Sequence, residues 1–293
     1  MKARPLVVLS WTALVIAAAG VLPAAQQFPS EPFREFGASV TAAFEGWYDN
    51  PDGSRTFLVG YLNRNVSQVV DIPIGPSNRI EPGGPDMGQP THFLPGRRHG
   101  MFTVAVPNGF TPEQRLTWTL VANGQTTSIP LRLNPDYVVS PFTDTAVKNT
   151  PPVLRFDENS RPVQGPIAQL ATAVARTGSV SAPLPVSVFA RDDARYASGT
   201  MAVPVKPPPP VRLEWSKYRG PGRVTFDNAH PAFEVLAGGG VNAPFNGKAT
   251  TTARFSEPGD YVLHVVALDY SGEGGGGEVC CWTTAMVKVT VAP

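Results

Sequence analysis

Residues 250–269 read TTTARFSEPGDYVLHVVALD, two β-patterned runs joined by a sharp corner. Ala253 and Phe255 alternate with Thr252 and Arg254, the period of two of a strand with one buried face. Glu257-Pro258-Gly259-Asp260 then supplies a proline that fixes φ and a glycine free to take positive φ, so the chain can turn abruptly. Tyr261, Leu263, Val265 and Ala267 share one face of the run that follows. The alternation places His264 on the other face, which it assigns to solvent.

Outward from this stretch the same period recurs. Residues 283–291 put Ala285, Val287, Val289 and Val291 inward. Val211, Leu213 and Trp215 alternate with Arg212, Glu214 and Ser216, and Gly220-Pro221-Gly222 turns into Val224-Thr225-Phe226. Residues 184–190 form another strand. Lys206 and the four prolines after it form an extended segment whose prolines lack backbone donors, which suits an edge or a connection. Residues 233–248 are glycine-rich and read as loop, and the alanine-rich residues 167–177 have the composition of a short helix.

The N-terminal half is patterned alike. Residues 40–48 and 55–63 read as a hairpin about the turn 49–54, residues 67–74 as a third strand, and residues 91–94 and 101–106 as strands flanking a turn at 95–100. Residues 116–122 and 125–133 flank Asn123-Gly124, where both turn positions need positive φ. Strands spaced about ten residues apart argue for sandwiches. The expected fold is all-β, with two antiparallel β-sandwich domains: the first at 36–134, a linker at 135–152, and the second at 153–293.

The runs VRLEWSKYRGPGRVTF (211–226), ATTTARFSEPGDYVLHVVALD (249–269) and MVKVTV (286–291) resemble PKD-like and related immunoglobulin-like modules of exported bacterial proteins. The resemblance covers about residues 185–291 and implies structural roles for two aromatics. Trp215 stands where such a sandwich buries its C-strand tryptophan, and Tyr261 stands where a corner tyrosine bonds back to the backbone. The glycine-rich insertion at 238–247 and the Cys280-Cys281 pair depart from the pattern, and no binding residue carries across. Residues 46–65, GWYDNPDGSRTFLVGYLNRN, resemble part of uncharacterised exported β-sandwich proteins.

Proline (32) and glycine (28) are abundant while charged residues make only 16% of the chain, which favours turns over long helices. Residues 1–25 read as a secretory signal: Lys2 and Arg4, an apolar run from 5 to 22, then Pro23-Ala24-Ala25. An uncleaved anchor is the alternative, because the run approaches the length of a bilayer span. Cleavage leaves no further apolar span and a periplasmic or secreted chain. It also changes the net charge from +1 to −1, since two of the 24 basic side chains leave with the signal while all 23 acidic ones stay. That balance carries no electrostatic footprint for nucleic acid.

Cys280 and Cys281 are the only cysteines. Adjacent Cα atoms lie about 3.8 Å apart, short of the usual disulfide span of about 4.4–6.8 Å, so a vicinal bond is strained. Vicinal bonding, free thiols and intermolecular bonding all stay open. Regular alternation turns Cys281 inward and Cys280 and Trp282 outward. His92, His99, His230 and His264 have no metal-ligand spacing. Arg97 and Arg98, beside His92 and His99, offer an anion or acidic-glycan contact, against a plain solvated turn. Residues 49–53, Asp192-Asp193 and Asp269 carry oxygens that calcium would accept. Trp47 and Tyr48 make a sugar-stacking platform if exposed, and otherwise join Phe44, Phe57 and Tyr61 in a core.

No nucleophile elbow, phosphate loop or paired-carboxylate motif appears, so the reading contains no catalytic residue, no metal and no cofactor. It expects a non-enzymatic structural or protein-interaction protein of the cell envelope, its partner an envelope protein or polysaccharide. A carbohydrate-binding module using Trp47 and Tyr48 is the alternative, and a hydrolase whose acids meet only in space is the third.

Overall fold

The computed structural model describes residues 31–144, 148–195, 206, 208–238, 240, 243–270 and 280–293. The signal reading at 1–25 lies outside them. The N-terminal half contributes β1 (Val40–Asp49), β2 (Arg55–Asn63), β3 (Val70–Asp71), β4 (Asn78–Glu81), β5 (His92–Phe93), β6 (Gly96–Ala105), β7 (Leu116–Ala122) and β8 (Gln125–Leu131). The C-terminal half contributes β9 (Val153–Arg155), β10 (Val163–Gln164), β11 (Val174–Ser179), β12 (Leu184–Asp192), β13 (Val211–Arg219), β14 (Val224–Phe226), β15 (Glu234–Ala237), β16 (Phe245–Phe255), β17 (Gly259–Asp269) and β18 (Trp282–Ala292). The architecture is all-β, and the described residues include no α-helix.

In the first half the sheets β1-β2-β6 and β4-β7-β8 face one another, with the ribbon β3-β5 beside them. Phe57, Tyr61, Phe93, Phe102 and Trp118 fill the space between. In the second half one sheet runs β10-β9-β12-β16-β14, with β15 also on β16. The other runs β11-β18-β17-β13, in which β11 pairs parallel with β18. Between these sheets Leu213, Trp215, Tyr261, Leu263, Val265, Ala285 and Val287 pack together, the inward positions that the period of two predicts.

The β11-β18-β17-β13 sheet is a middle layer, covered on both faces. The side chains of β17 that turn away from the second sandwich enter the first: Val262 joins the core around Trp118, and Val266 packs with Tyr48, Leu58 and Trp282. His264, assigned to solvent by alternation, is therefore fully buried, and Trp282 and Cys280, expected to point outward, are 0% and 6% exposed. A sheet buried on both sides reads as a continuous apolar run, and VLHVVAL is one.

Four further expectations are corrected. Residues 167–177 form no α-helix. A 3-10 turn at Leu170–Thr172 leads into β11, because residues 165–168 bond Thr283, Thr284 and Thr103 along their backbone, and those bonds outweigh alanine propensity. The expected turn at 95–100 is the first half of β6, with the sharp backbone confined to Gly96 (φ 85°) and Gly100 (φ 50°). The loop read at 233–248 contains β15 and the start of β16. The third strand read at 67–74 is reduced to two residues, β3.

His264 makes the fold sensitive to acid. Its Nε2–H donates to the Met101 carbonyl at 3.0 Å, its ring stacks on Tyr218, and Nδ1 is buried with no partner. Burial first, against the pull of the Met101 bond and with help from the Arg98 charge, lowers its pKa to about 4. The unfolded chain, with a histidine pKa of about 6.5, then takes up the proton first. Stability is complete above that value and drains away as pH falls towards 4. Between pH 7 and 4.5 the expected loss through this residue is about 2–3 kcal/mol, and denaturant unfolding of wild type and His264→Gln at the two pH values measures it.

Candidate functional site

None of the aromatic or basic candidates stands free. Trp47 is 9% exposed, its Nε1 donating to the Asn134 carbonyl at 2.8 Å, with the Arg55 guanidinium over its ring. Tyr48 is 4% exposed and meets Phe142 edge to face. Burial pushes its hydroxyl up to about 12, against the pull of Thr56. The exposed stacking platform is thus absent from this structure. The turn at 49–54 presents its polar groups to itself and to the start of β2, while residues 134–139 fold back along β1 beside Trp47.

Arg97 and Arg98 sit in β6 rather than a solvated turn. Arg97 bonds Glu45 Oε1 at 2.7 Å, and Glu45 Oε2 accepts the Gly100 amide at 2.8 Å. The pair closes over Gly60, where a Cβ would stand 2.2 Å from both Glu45 Oε1 and the Arg98 carbonyl. Arg98 reaches Glu214 of β13 at 2.6 Å. These arginines spend their charge inside the molecule. His99 lies 3.8 Å from Glu45, and burial, followed by the Arg97 charge, lowers its pKa to about 4. His92 bonds Asp71 at 2.7 Å, and His230 meets the Leu213 carbonyl at 3.2 Å.

Tyr261 and Trp215 are both buried in the second half. Tyr261 is 1% exposed, donating to the Glu257 carbonyl at 2.8 Å and accepting the Gly222 amide at 3.0 Å. Trp215 is 2% exposed and stacks with Phe226.

Of the calcium candidates, the turn at 49–53 spends its carboxylates on protein donors: Asp49 on Arg55, Asp52 on the amide and hydroxyl of Ser54. Asp192, Asp193 and Asp269 are instead brought together at one end of the second sandwich. Asn149 joins them, its Nδ2 donating to Asp269 Oδ2. Cys280 and Cys281 lie at the same end with their sulfurs joined, Cys281 Sγ 3.6 Å from the Asn149 carbonyl. The sequence carries no signal that buries Asn149.

A surface feature that sequence reasoning missed lies on the outer face of β9, β12 and β16. A cleft of about 350 Å³ is lined by Arg155, Glu158, Phe189, Arg191, Leu236 and Asn246 among others. Its rim is β15, an edge strand with all four residues exposed, Val235 at 56% and Leu236 at 50%. Among the described residues β15 pairs only with β16, and Leu236 sits in a bulge of that pairing. The glycines that follow this segment, beginning at Gly238, conceal it in the sequence.

Among the described residues no helix is long and apolar enough to cross a membrane. No protein family matches the chain, and no curated protein does. Solved structures align over most of its length at low similarity. The S-layer protein SbsC domains 4 and 5 give 11% identity and a TM-score of 0.22, over 87% of this chain and 98% of that one. The D00-D0 domain of Intimin gives 12% and 0.24, over 86% and 100%. The collagen adhesin (CNA) from S. aureus gives 10% and 0.17, over 86% and 92%. At these scores none carries a conclusion about this chain.

Proposed function

We propose that the chain is a non-enzymatic, exported protein of the cell envelope that serves as a structural or protein-interaction module, and that it engages its partner along β15. The observation that supports this reading is the β15 edge itself. An unpaired edge offers backbone donors and acceptors to an added strand, and alternate side chains supply specificity. Val235 and Leu236 provide apolar contact, and Arg155 and Arg191 are among the residues that line the adjoining cleft. Arg191 has no ion-pair partner among the described residues. The fitting occupant is an extended segment of an envelope protein with apolar and acidic side chains. Export rests on the signal-like residues 1–25.

The test is a side-by-side capture of the chain from Gln26 onward on insoluble polysaccharide, cell wall and envelope extract, with the double variant V235K/L236K as control. Enrichment of one envelope protein by the wild type, lost with the variant, supports the reading. Retention on a glycan that the variant leaves unchanged moves the function to carbohydrate binding. Turnover of any substrate that a point change abolishes makes it an enzyme.

A further inference from the structure

β15 carries in its own sequence what its edge asks of a partner. Its residues Glu234-Val235-Leu236-Ala237 are extended and exposed throughout, and they combine one carboxylate with an apolar pair. Among the described residues Glu234 has no ion-pair partner, and neither has Arg191. Lys248, opposite Glu234 on β16, lies over the Phe189 ring at 5.2 Å. A strand both acidic and apolar, on the same sheet as an arginine with no carboxylate, makes occupant and receptor parts of one chain.

The register fixes how two such edges meet. Arg191 of β12 stands opposite Asn246 of β16, and Asn246 stands opposite Ala237 of β15, so the three form one row across the sheet. They share a face, since all three line the same cavity. An antiparallel strand of the same sequence, centred between Val235 and Leu236, sets its own Glu234 opposite Ala237 and in line with that row. Neighbouring strands lie about 4.8 Å apart, so the backbone carrying this carboxylate is three spacings, about 14 Å, from that of Arg191. Two long side chains extended towards each other over the small Ala237 close that gap. The acids on the cavity wall are engaged already, Asp193 by Arg195 and Thr150 and Asp192 by the Ala194 amide.

We propose that β15 pairs antiparallel with β15 of a second copy of this chain, about a two-fold axis between Val235 and Leu236, with Glu234 of each copy reaching Arg191 of the other. This rests on the reading of β15 as the contact edge and names the partner that the edge takes. Val235 stands opposite Leu236 of the second copy on both sides of the axis, so the seam has an apolar centre and a charge pair at each end. Because the contact is isologous it consumes the edge in both copies, and the assembly closes at two instead of growing into a fibre. The bulge at Leu236 and the length of four residues keep the seam short, and the dimer is accordingly weak.

Sedimentation velocity of the pure chain from Gln26 onward, with no extract present, is followed over a range of concentrations up to about 0.5 mM, well into the weak range of protein association. A monomer–dimer equilibrium is expected, with a dissociation constant on the order of 10–100 µM, since the seam is smaller than the standard interface of about 1,600 Å². V235K/L236K sets like charges across the seam and should weaken the dimer about tenfold or more. Glu234→Arg should weaken it in the same direction, and the exchanged pair E234R/R191E should restore it. All four residues are on the surface or at a cavity wall, and thermal midpoints close to wild type confirm that the variants fold. A chain that stays monomeric at the highest concentration overturns the proposal, as does a dimer that V235K/L236K leaves intact. An exchanged pair that fails to restore the dimer removes the Glu234–Arg191 contact from it. A monomer that still captures a different envelope protein, in a manner V235K/L236K abolishes, refutes self-pairing while the reading of β15 as the contact edge stands; loss of both refutes both.

Discussion

Tyr261→Ala is expected to remove about 5 kcal/mol of stability, enough to abolish the cooperative unfolding transition of an ordinary domain. The ring is nearly all buried, 4.8 Å from the Phe255 ring centroid, and Gly220 packs so closely on it that a Cβ there would stand 2.2 Å from the ring. Emptying that space costs about 3–5 kcal/mol. The hydroxyl adds a separate contribution, because it joins the Glu257 carbonyl to the Gly222 amide and so ties the β16–β17 corner to the β13–β14 turn. Tyr261→Phe keeps the ring and orphans the buried Gly222 amide, with an expected loss of about 2 kcal/mol. Denaturant midpoints measured on the three proteins should fall in the order wild type, Phe, Ala. A Phe variant as stable as wild type would show that the corner holds without its hydroxyl.

Asn78→Leu has the second large effect. Asn78 is fully buried, and its side chain donates to the carbonyls of Ile72 (3.0 Å) and Pro90 (2.7 Å) while accepting the Trp118 indole N–H (2.9 Å). It fastens the segment after β3, the loop before β5 and the central aromatic of the first core. Leucine is close in volume and apolar, so the substitution tests hydrogen bonding rather than space. Three buried partners lose their bonds together, and at about 1–3 kcal/mol each the expected cost is about 4 kcal/mol after partial relaxation. Urea unfolding should show a lowered midpoint with an unchanged slope, the mark of lost stability rather than an altered unfolded state. A drop under about 1 kcal/mol would mean that water or a neighbour replaces the amide.

The inside of each sandwich was legible in the sequence because it depends on local alternation. Tyr261, Leu263, Val265 and Ala267 point where the period of two puts them, and Asn123-Gly124 turns where its positive φ requires. The packing of one half on the other was not legible, because it depends on residues more than a hundred positions apart. Trp282 needs Gly100, whose missing side chain leaves room for its ring, and His264 needs Met101. Alternation alone gives such residues to solvent. The run VLHVVAL hinted at a doubly covered strand without naming what covers it.

The candidate sites divide in the same way. The sequence left Trp47 and Tyr48 open between an exposed platform and the core, and gave Arg97 and Arg98 to a turn; the segment 134–139, Glu45 and Glu214, which claim Trp47, Arg97 and Arg98 from a distance, decide it. Asp192, Asp193 and Asp269 were visible as oxygen donors, but Asn149, which bonds Asp269, carried no mark. The β15 edge was hidden by glycines that made it read as loop.

Hydrogen exchange across residues 234–237, followed on the chain from Gln26 alone and with the envelope protein that it retains, tests the central claim most directly. Free β15 is an exposed edge, so its amides should exchange quickly. Slowing of that segment by the partner, absent in V235K/L236K, is the outcome the account predicts. A bound partner that leaves 234–237 exchanging at the free rate, with protection appearing elsewhere, would contradict it.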